Sequence, residues 1–231
     1  MQTIAVAIDG PSGAGKSTLA RAVAQEFGFL YVDTGALYRT VGLFVRRCGA
    51  DPDDAAAVEA LLPRARVSLA YRDGEQRAIL DGEDVSAAIR TPEASRYASK
   101  VSAHSAVRAF LLETQRRLAR EQSVVMDGRD IGTVVLPDAQ VKIFLHASAE
   151  DRARRRMLEL DGRGTPQPYE EVLADIRERD ARDESRAAAP LRRALDAVDL
   201  DTTGNTLEQS KKLLIETVKE RMGACGIESH E

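Results

Sequence analysis

Eight consecutive residues constrain this chain more than anything else in it. Gly10-Pro11-Ser12-Gly13-Ala14-Gly15-Lys16-Ser17 matches the pattern G-x-x-x-x-G-K-S/T in full, with Thr18 following. Glycines let such a loop curl so that successive backbone N–H groups face phosphate oxygens, and the next helix adds its positive end. The context fits. Residues 3–8 are a short apolar run in which Ile4, Val6 and Ile8 are β-branched, the pattern of a buried strand. Over residues 16–27, Leu19, Val23 and Phe27 recur at helical spacing. Strand, glycine-rich loop and helix open an α/β domain. The motif predicts a bound nucleoside triphosphate, with Lys16 reaching its outer phosphates and Ser17 offering a hydroxyl to Mg²⁺.

The rest of the chain continues that rhythm. Short apolar segments at 29–32, 124–126, 141–145 and 197–200 read as further buried strands. Helical patterns stand at 106–120, 151–160, 169–183 and 207–222, which predicts a doubly wound parallel sheet of five strands. One stretch departs from it. Residues 67–71, an Asp73-Gly74 turn, and residues 77–80 with Asp81-Gly82 after them alternate like a β-hairpin, so an insertion with its own small sheet is expected. A second excursion, residues 162–168, is a breaker-rich loop between two charged helices.

Several classes of triphosphate-binding protein are excluded. A GTPase needs an N-K-x-D base-reading motif, and the one asparagine is Asn205 in TGNT; an LSGGQ-like transporter signature is absent as well. What is present is Val124-Val125-Met126-Asp127, an apolar strand ending in a carboxylate, where a second group near the metal belongs. Gly128-Arg129-Asp130 then puts a cation and another acid at the strand's C-terminal edge, where open α/β sheets bind ligands.

Charge matters at this point. The 231 residues carry 33 basic and 37 acidic side chains, net −4, which argues against a general polyanion-binding surface and against nucleic acid as partner. The basic residues are 27 Arg against 6 Lys, and arginine's planar fork suits phosphate. Arg39, Arg129, Arg155, Arg179 and Arg186 stand near element ends or in the excursions. Residues 151–193 hold 11 Arg and 10 acids, which reads either as solvated helices with internal ion pairs or as a nearly neutral lid over phosphates. Cys48 and Cys225 stand apart, as do His104, His146 and His230, so neither a disulfide framework nor a zinc site is expected. With no leader-like start and no long apolar run, the expected setting is the cytoplasm, with no membrane contact.

With the P-loop, DTGALYR (33–39), DGRDIGTV (127–134) and ERDARDESR (178–186) in hand, the chain resembles bacterial cytidylate kinases, a family of nucleoside-monophosphate kinases. EDVSAAIRT (83–91) and PDAQVKIFL (137–145) carry the resemblance along nearly the whole chain. It implies a P-loop three-layer core with a five-stranded parallel sheet, an NMP-binding insertion with a small antiparallel sheet, and a short helical lid. The implied divisions are core at 1–33, 106–150 and 187–231, insertion at 34–105 and lid at 151–186. It implies ATP and Mg²⁺ on the residues Gly10 to Thr18, with Ser17 and Asp127 at the metal, and CMP or dCMP as acceptor. Thr34 and Arg39 then meet the acceptor's phosphate region, while Ser99, Arg108 and Asp130 read the cytosine edge. Arg129, Arg179 and Arg186 hold the acceptor phosphate, Asp183 the sugar, and Arg155, in a run with Arg154 and Arg156, acts from the lid.

That set makes chemical sense. A carboxylate at Asp130 accepts from cytosine's amine, whereas uracil offers a carbonyl there and leaves the acid unpaired, at a cost of about 1–3 kcal/mol. The expected activity is phosphoryl transfer from Mg-ATP to CMP or dCMP, by a monomer, with Lys16, Arg129, Arg155, Arg179 and Asp127 as the catalytic set. The competing expectations are a kinase for UMP, AMP or a hydroxylated metabolite, and a nucleotide sensor without turnover. The C-terminal stretch 223–231 has no assigned role.

Overall fold

The computed structural model describes residues 3–162 and 164–226; His230 and the end of the C-terminal stretch lie outside the described residues, as does Arg163 in the loop between the charged helices. The chain forms two compact units, one made of the sequence up to Tyr31 and from Gln122 onward, the other of Val32–Glu121.

The first unit is built on β1 (Ala5–Asp9), β6 (Val124–Gly128), β7 (Val141–His146) and β8 (Val198–Asp201), with β2 (Leu30–Asp33) at its boundary, where the chain passes to the second unit after Tyr31. They form one parallel sheet in the order β2-β6-β1-β7-β8, the five strands expected. All five residues of β6 are buried, so the sheet's centre is covered on both faces. On one face Val6, Ile8, Ile143 and Leu145 pack against Leu19 and Val23 of α1 (Lys16–Phe27) and Leu214 and Val218 of α8 (Leu207–Ala224). Because strand side chains alternate, Ala7 and Asp9 point to the opposite face. The strand extends one residue past the apolar run, through Asp9.

Two helices, α6 (Ala149–Gly162) and α7 (Tyr169–Ser185), pair around Ala153, Leu160, Val172, Leu173 and Ile176, a small apolar seam of their own. The expected breaker-rich loop joins them. Between β6 and β7, residues Ile131–Val135 make a single π-helical turn, with Leu136 N–H donating to Ile131 O at 2.7 Å.

The second unit holds the small antiparallel sheet, β3 (Val67–Arg72), β4 (Glu75–Leu80) and β5 (Glu83–Asp84). Its first hairpin turns through Asp73 and Gly74, both at positive φ (53° and 74°), the geometry an Asp-Gly pair favours. Four helices complete the unit: α2 (Thr34–Arg47), α3 (Ala55–Leu61), α4 (Pro92–Val101) and α5 (Ser105–Glu121). The periodicity marked only α5 among them. In α2, Gly35 and Gly42 weaken the helical signal, yet Gly42 has a packing reason. A Cβ there would lie 2.9 Å from Tyr97 Cβ and 3.0 Å from Ala98 N, so its absence lets α4 pack close. No helix among the described residues is long and apolar enough to cross a membrane.

Candidate active site

The site in the first unit begins with backbone. Gly10 leaves β1 at φ 151°, and a Cβ on it would fall 1.9 Å from Leu145 O, so only glycine passes between the strands here. Gly13 and Gly15 take φ of 76° and 83°, in the left-handed region. The loop they shape closes on its own lysine: Lys16 Nζ donates to Pro11 O at 2.7 Å, and the residue is only 6% exposed. Burial, then the nearby Arg129, push the pKa of this ammonium well down, with Asp127 opposing and Arg179 adding to the effect. A buried cation among cations is costly alone and gains from an arriving polyanion.

Asp127 lies one residue before the end of β6, which runs on through Gly128, and its oxygens are committed. Ser17 Oγ donates to Oδ2 at 2.8 Å and Tyr31 Oη donates to Oδ1 at 3.0 Å. Ser17 itself is exposed. A hydroxyl and a carboxylate side by side beside a phosphate loop are hard oxygen donors of the type Mg²⁺ takes, so the residues present fit that ion.

Next to it lies a mesh of arginines and acids. Arg129 Nε donates to Asp183 Oδ2 at 2.8 Å, and Arg186 sits 3.7 Å from both Asp130 and Asp183 with its guanidinium almost wholly buried. Arg186 Nε also donates to Ala189 O at 2.6 Å. Burial pulls the Asp183 carboxyl upward, but Arg129, Arg179 and Arg186 outweigh it and hold the group below its ordinary range. The structure thus gathers Lys16, Ser17, Asp127, Arg129, Asp130, Arg179, Asp183 and Arg186 in one unit. Arg129 and Arg186 face acids and Lys16 a backbone carbonyl, an arrangement of held cations suited to spread phosphate charge.

Arg155 belongs to a different group. It pairs with Asp151 at 2.5 Å and donates to Thr202 O at 2.7 Å, while a Cβ on Gly15 would come 4.0 Å from its Nη1. Its neighbour Arg156 is tied to Glu159 on the helix surface. The arginine that reaches the loop's backbone is Arg152, which the sequence did not single out. Its guanidinium donates to Ser12 O at 3.0 Å and Ala147 O at 2.9 Å, and bonds both oxygens of Asp180 at 3.1 and 2.6 Å. As one arginine among many between 151 and 193, it carried no separating signal except three-residue spacing to Arg155. Asp9 and Tyr31 were missed too, Asp9 because an acid after an apolar run reads as a turn.

The remaining candidates lie in the second unit. Thr34 is buried in the first turn of α2, behind the N-cap Asp33, which accepts from Ala36 N at 3.0 Å. Arg39 Nη2 donates to the same Asp33 at 2.6 Å, and Gln76 of β4 accepts from Asp33 N at 2.8 Å. Ser99 is buried on α4; Ser102 Oγ donates to Ser99 O at 3.0 Å, and Arg108 Nη1 donates to Ser102 O at 3.2 Å. The Arg108 guanidinium also lies 5.4 Å from the centre of the Tyr38 ring. Ser99 and Arg108 are therefore brought into one chain of contacts, while Arg39 is tied to Asp33, the residue before Thr34.

Comparison with known proteins places nearly the whole chain. The sequence pattern of cytidylate kinases matches residues 6–220. A cytidylate kinase of Citrifermentans bemidjiense is 49% identical over 220 residues, covering 95% of this chain and 94% of that protein. One from Geobacter sulfurreducens is 48% identical over 216 residues, covering 94% and 93%. Among solved structures, a gluconokinase from Sinorhizobium meliloti shares the fold at TM-score 0.50 and 16% identity, covering 98% of each chain. A phosphate loop is common to many kinases, but kinship at nearly half of all positions, from β1 into α8, is not: the chain belongs to the cytidylate kinase family.

Proposed function

We propose that the protein transfers the outer phosphoryl group of ATP to the phosphate of CMP or dCMP. The observation that supports this best is the set Lys16, Ser17 and Asp127 beside the Arg129–Asp183–Arg186 mesh, a phosphate-donor loop next to fixed guanidinium groups. The acceptor's phosphate oxygen is already anionic, so it attacks the γ-phosphorus without a general base. The bond to the β–γ bridging oxygen breaks, and ADP leaves with that electron pair. The backbone N–H groups of the loop Gly10 to Thr18, Pro11 excepted, and the Lys16 ammonium bind the donor phosphates. Arg129, Arg179 and Arg186 orient the acceptor phosphate and compensate its charge, and Arg155 adds a cation from the α6 side. Ser17 and Asp127 would hold Mg²⁺, which when bound neutralises charge on the β and γ oxygens.

Acceptor choice falls to Asp130, Arg108 and Ser99 at the base, Asp183 at the sugar, and Thr34 and Arg39 toward the phosphate. On this assignment residues 34–105 are the acceptor domain, 151–186 the lid that excludes water, and 1–33, 106–150 and 187–231 the core. Cys48 and Cys225 are unpaired thiols on the surface, in keeping with a reducing cytoplasm; a monomer is expected in sedimentation.

The deciding experiment couples ADP release to a panel of CMP, dCMP, UMP and AMP with Mg-ATP. Strong turnover of CMP and dCMP with little on UMP is expected. Equal rates on UMP would overturn the role given to Asp130, and ATP binding without turnover on any acceptor would overturn the kinase assignment.

A further inference from the structure

A buried carboxylate that the phosphoryl transfer above does not use lies between the donor loop and the acceptor-reading segment. Asp9 is the last residue of β1, immediately before Gly10, and only 4% exposed. Each of its oxygens takes one short bond: Ile131 N–H donates to Oδ1 at 2.7 Å and Gly132 N–H donates to Oδ2 at 2.7 Å. Those amides come directly after Arg129 and Asp130. Asp130 follows β6 with φ −144° and ψ 28°, in neither strand nor helix geometry, and its carbonyl accepts from Val134 N–H at 2.9 Å and Val135 N–H at 3.1 Å within the turn that Asp9 caps. The two amides head the π-helical turn, where a helical end has no carbonyl partner of its own, and Asp9 supplies both acceptors.

The surroundings leave little else for this acid to do. Lys16 on α1 and Asp130 in the adjoining segment are the charged groups that act on it, and Lys142 of β7 lays its methylenes over Gly132 while its ammonium goes to Pro137 O and Asp196. Burial raises the carboxyl's pKa to about 6, so holding it ionised at neutral pH works against the fold. A costly charge kept where two amides need aiming points to function.

We propose that Asp9 is a positioning residue for acceptor selection: by clamping the amides of Ile131 and Gly132 it fixes the aim of Asp130 and Arg129. This rests on the reading that Asp130 meets the cytosine base. Asp9→Asn is nearly isosteric, yet it replaces one acceptor oxygen with an amide NH2 that faces an N–H, so one clamp bond becomes a clash of donors.

The test is steady-state kinetics of the wild type, Asp9→Asn and Gly132→Ala with CMP and UMP, together with KM for ATP and a thermal melt. For Asp9→Asn the ratio of kcat/KM on CMP to that on UMP should fall about tenfold, with KM for CMP raised and KM for ATP within about twofold, the size of loss expected when one aimed polar contact is misplaced. Gly132→Ala guards against a variant that fails to fold. Its Cβ would lie 3.4 Å from Asp9 Oδ2 and 3.2 Å from the flexible Lys142 Cδ, so it presses on the same clamp and should shift the ratio the same way by less. A folded variant of either kind that keeps the wild-type ratio overturns the proposal. So does a KM for ATP that rises in step with that for CMP, since Asp9 would then serve the loop through Gly10. Wild type without preference for CMP overturns the underlying reading as well, and it does so before any variant is examined.

Discussion

The loop after β1 and the helix pair α6–α7 both hold cations, the first with backbone alone and the second with carboxylates as well. The loop holds Lys16 with backbone: a carbonyl from Pro11 and a path that only glycine can follow at position 10. The helix pair adds carboxylates to backbone: Arg152 donates to Ser12 O and Ala147 O and also pairs with Asp180, while Arg177 meets Glu150 at the surface. Backbone offers no alternative geometry, so the loop tolerates almost no change. Carboxylate pairs differ among themselves according to burial, and their value cannot be taken from their number.

The sharpest way to break the comparison is at the lysine. Lys16→Ala should lower kcat by about a thousandfold or more, since charge compensation is most of what such an enzyme supplies. Its melting temperature should hold or rise, because a buried cation is lost; near-normal turnover in the coupled assay would remove Lys16 from the mechanism. Gly10→Ala should follow in severity. With a Cβ 1.9 Å from a strand carbonyl the backbone must move, and calorimetry should show several kcal/mol lost, on the order of other strained core changes.

Within the helix pair, Arg152→Met removes a buried guanidinium from the half-buried Asp180 and should cost about 3 kcal/mol in denaturant unfolding. Arg177→Gln removes a pair whose members are 60% and 44% exposed and should cost under about 1 kcal/mol. Similar losses from the two would mean that burial does not rank these pairs.

The smallest effect expected is on pH. Asp9 binds its proton more tightly in the folded chain, with a pKa near 6 against an ordinary 3.8. Between those values the folded state carries more protons than the unfolded one, so this group's contribution to stability falls as pH rises from about 4 to about 6. Asp183 runs the other way: its lowered pKa stabilises the fold above pH 3.8 and that contribution is lost on further acidification. Unfolding curves of wild type and Asp9→Asn at several pH values should therefore diverge with the wild type losing ground between pH 4 and 6. Parallel curves would show that Asp9 is not strained by its burial.

How far the sequence could be read depends on the same contrast. Strands β6, β7 and β8 were visible as apolar runs, and the Asp73-Gly74 turn announced the hairpin. Helix α2 was not visible, because its glycines lower the helical signal and their purpose appears only when α4 lies against Gly42. Asp9 was placed outside β1 because an acid at a buried strand end makes sense only with Ile131 and Gly132 amides to receive it, more than a hundred residues away.

By itself the sequence determined the phosphate loop, the alternation of strands and helices, and the acid near the end of β6, since each depends on residues adjacent along the chain. Backbone conformation and periodicity are local properties. Only the tertiary structure decided which carboxylates meet the arginines and what Asp9 holds. An arginine's role comes from its carboxylate partner and its depth, and partners such as Arg152 with Asp180 or Arg129 with Asp183 meet only when the chain is folded.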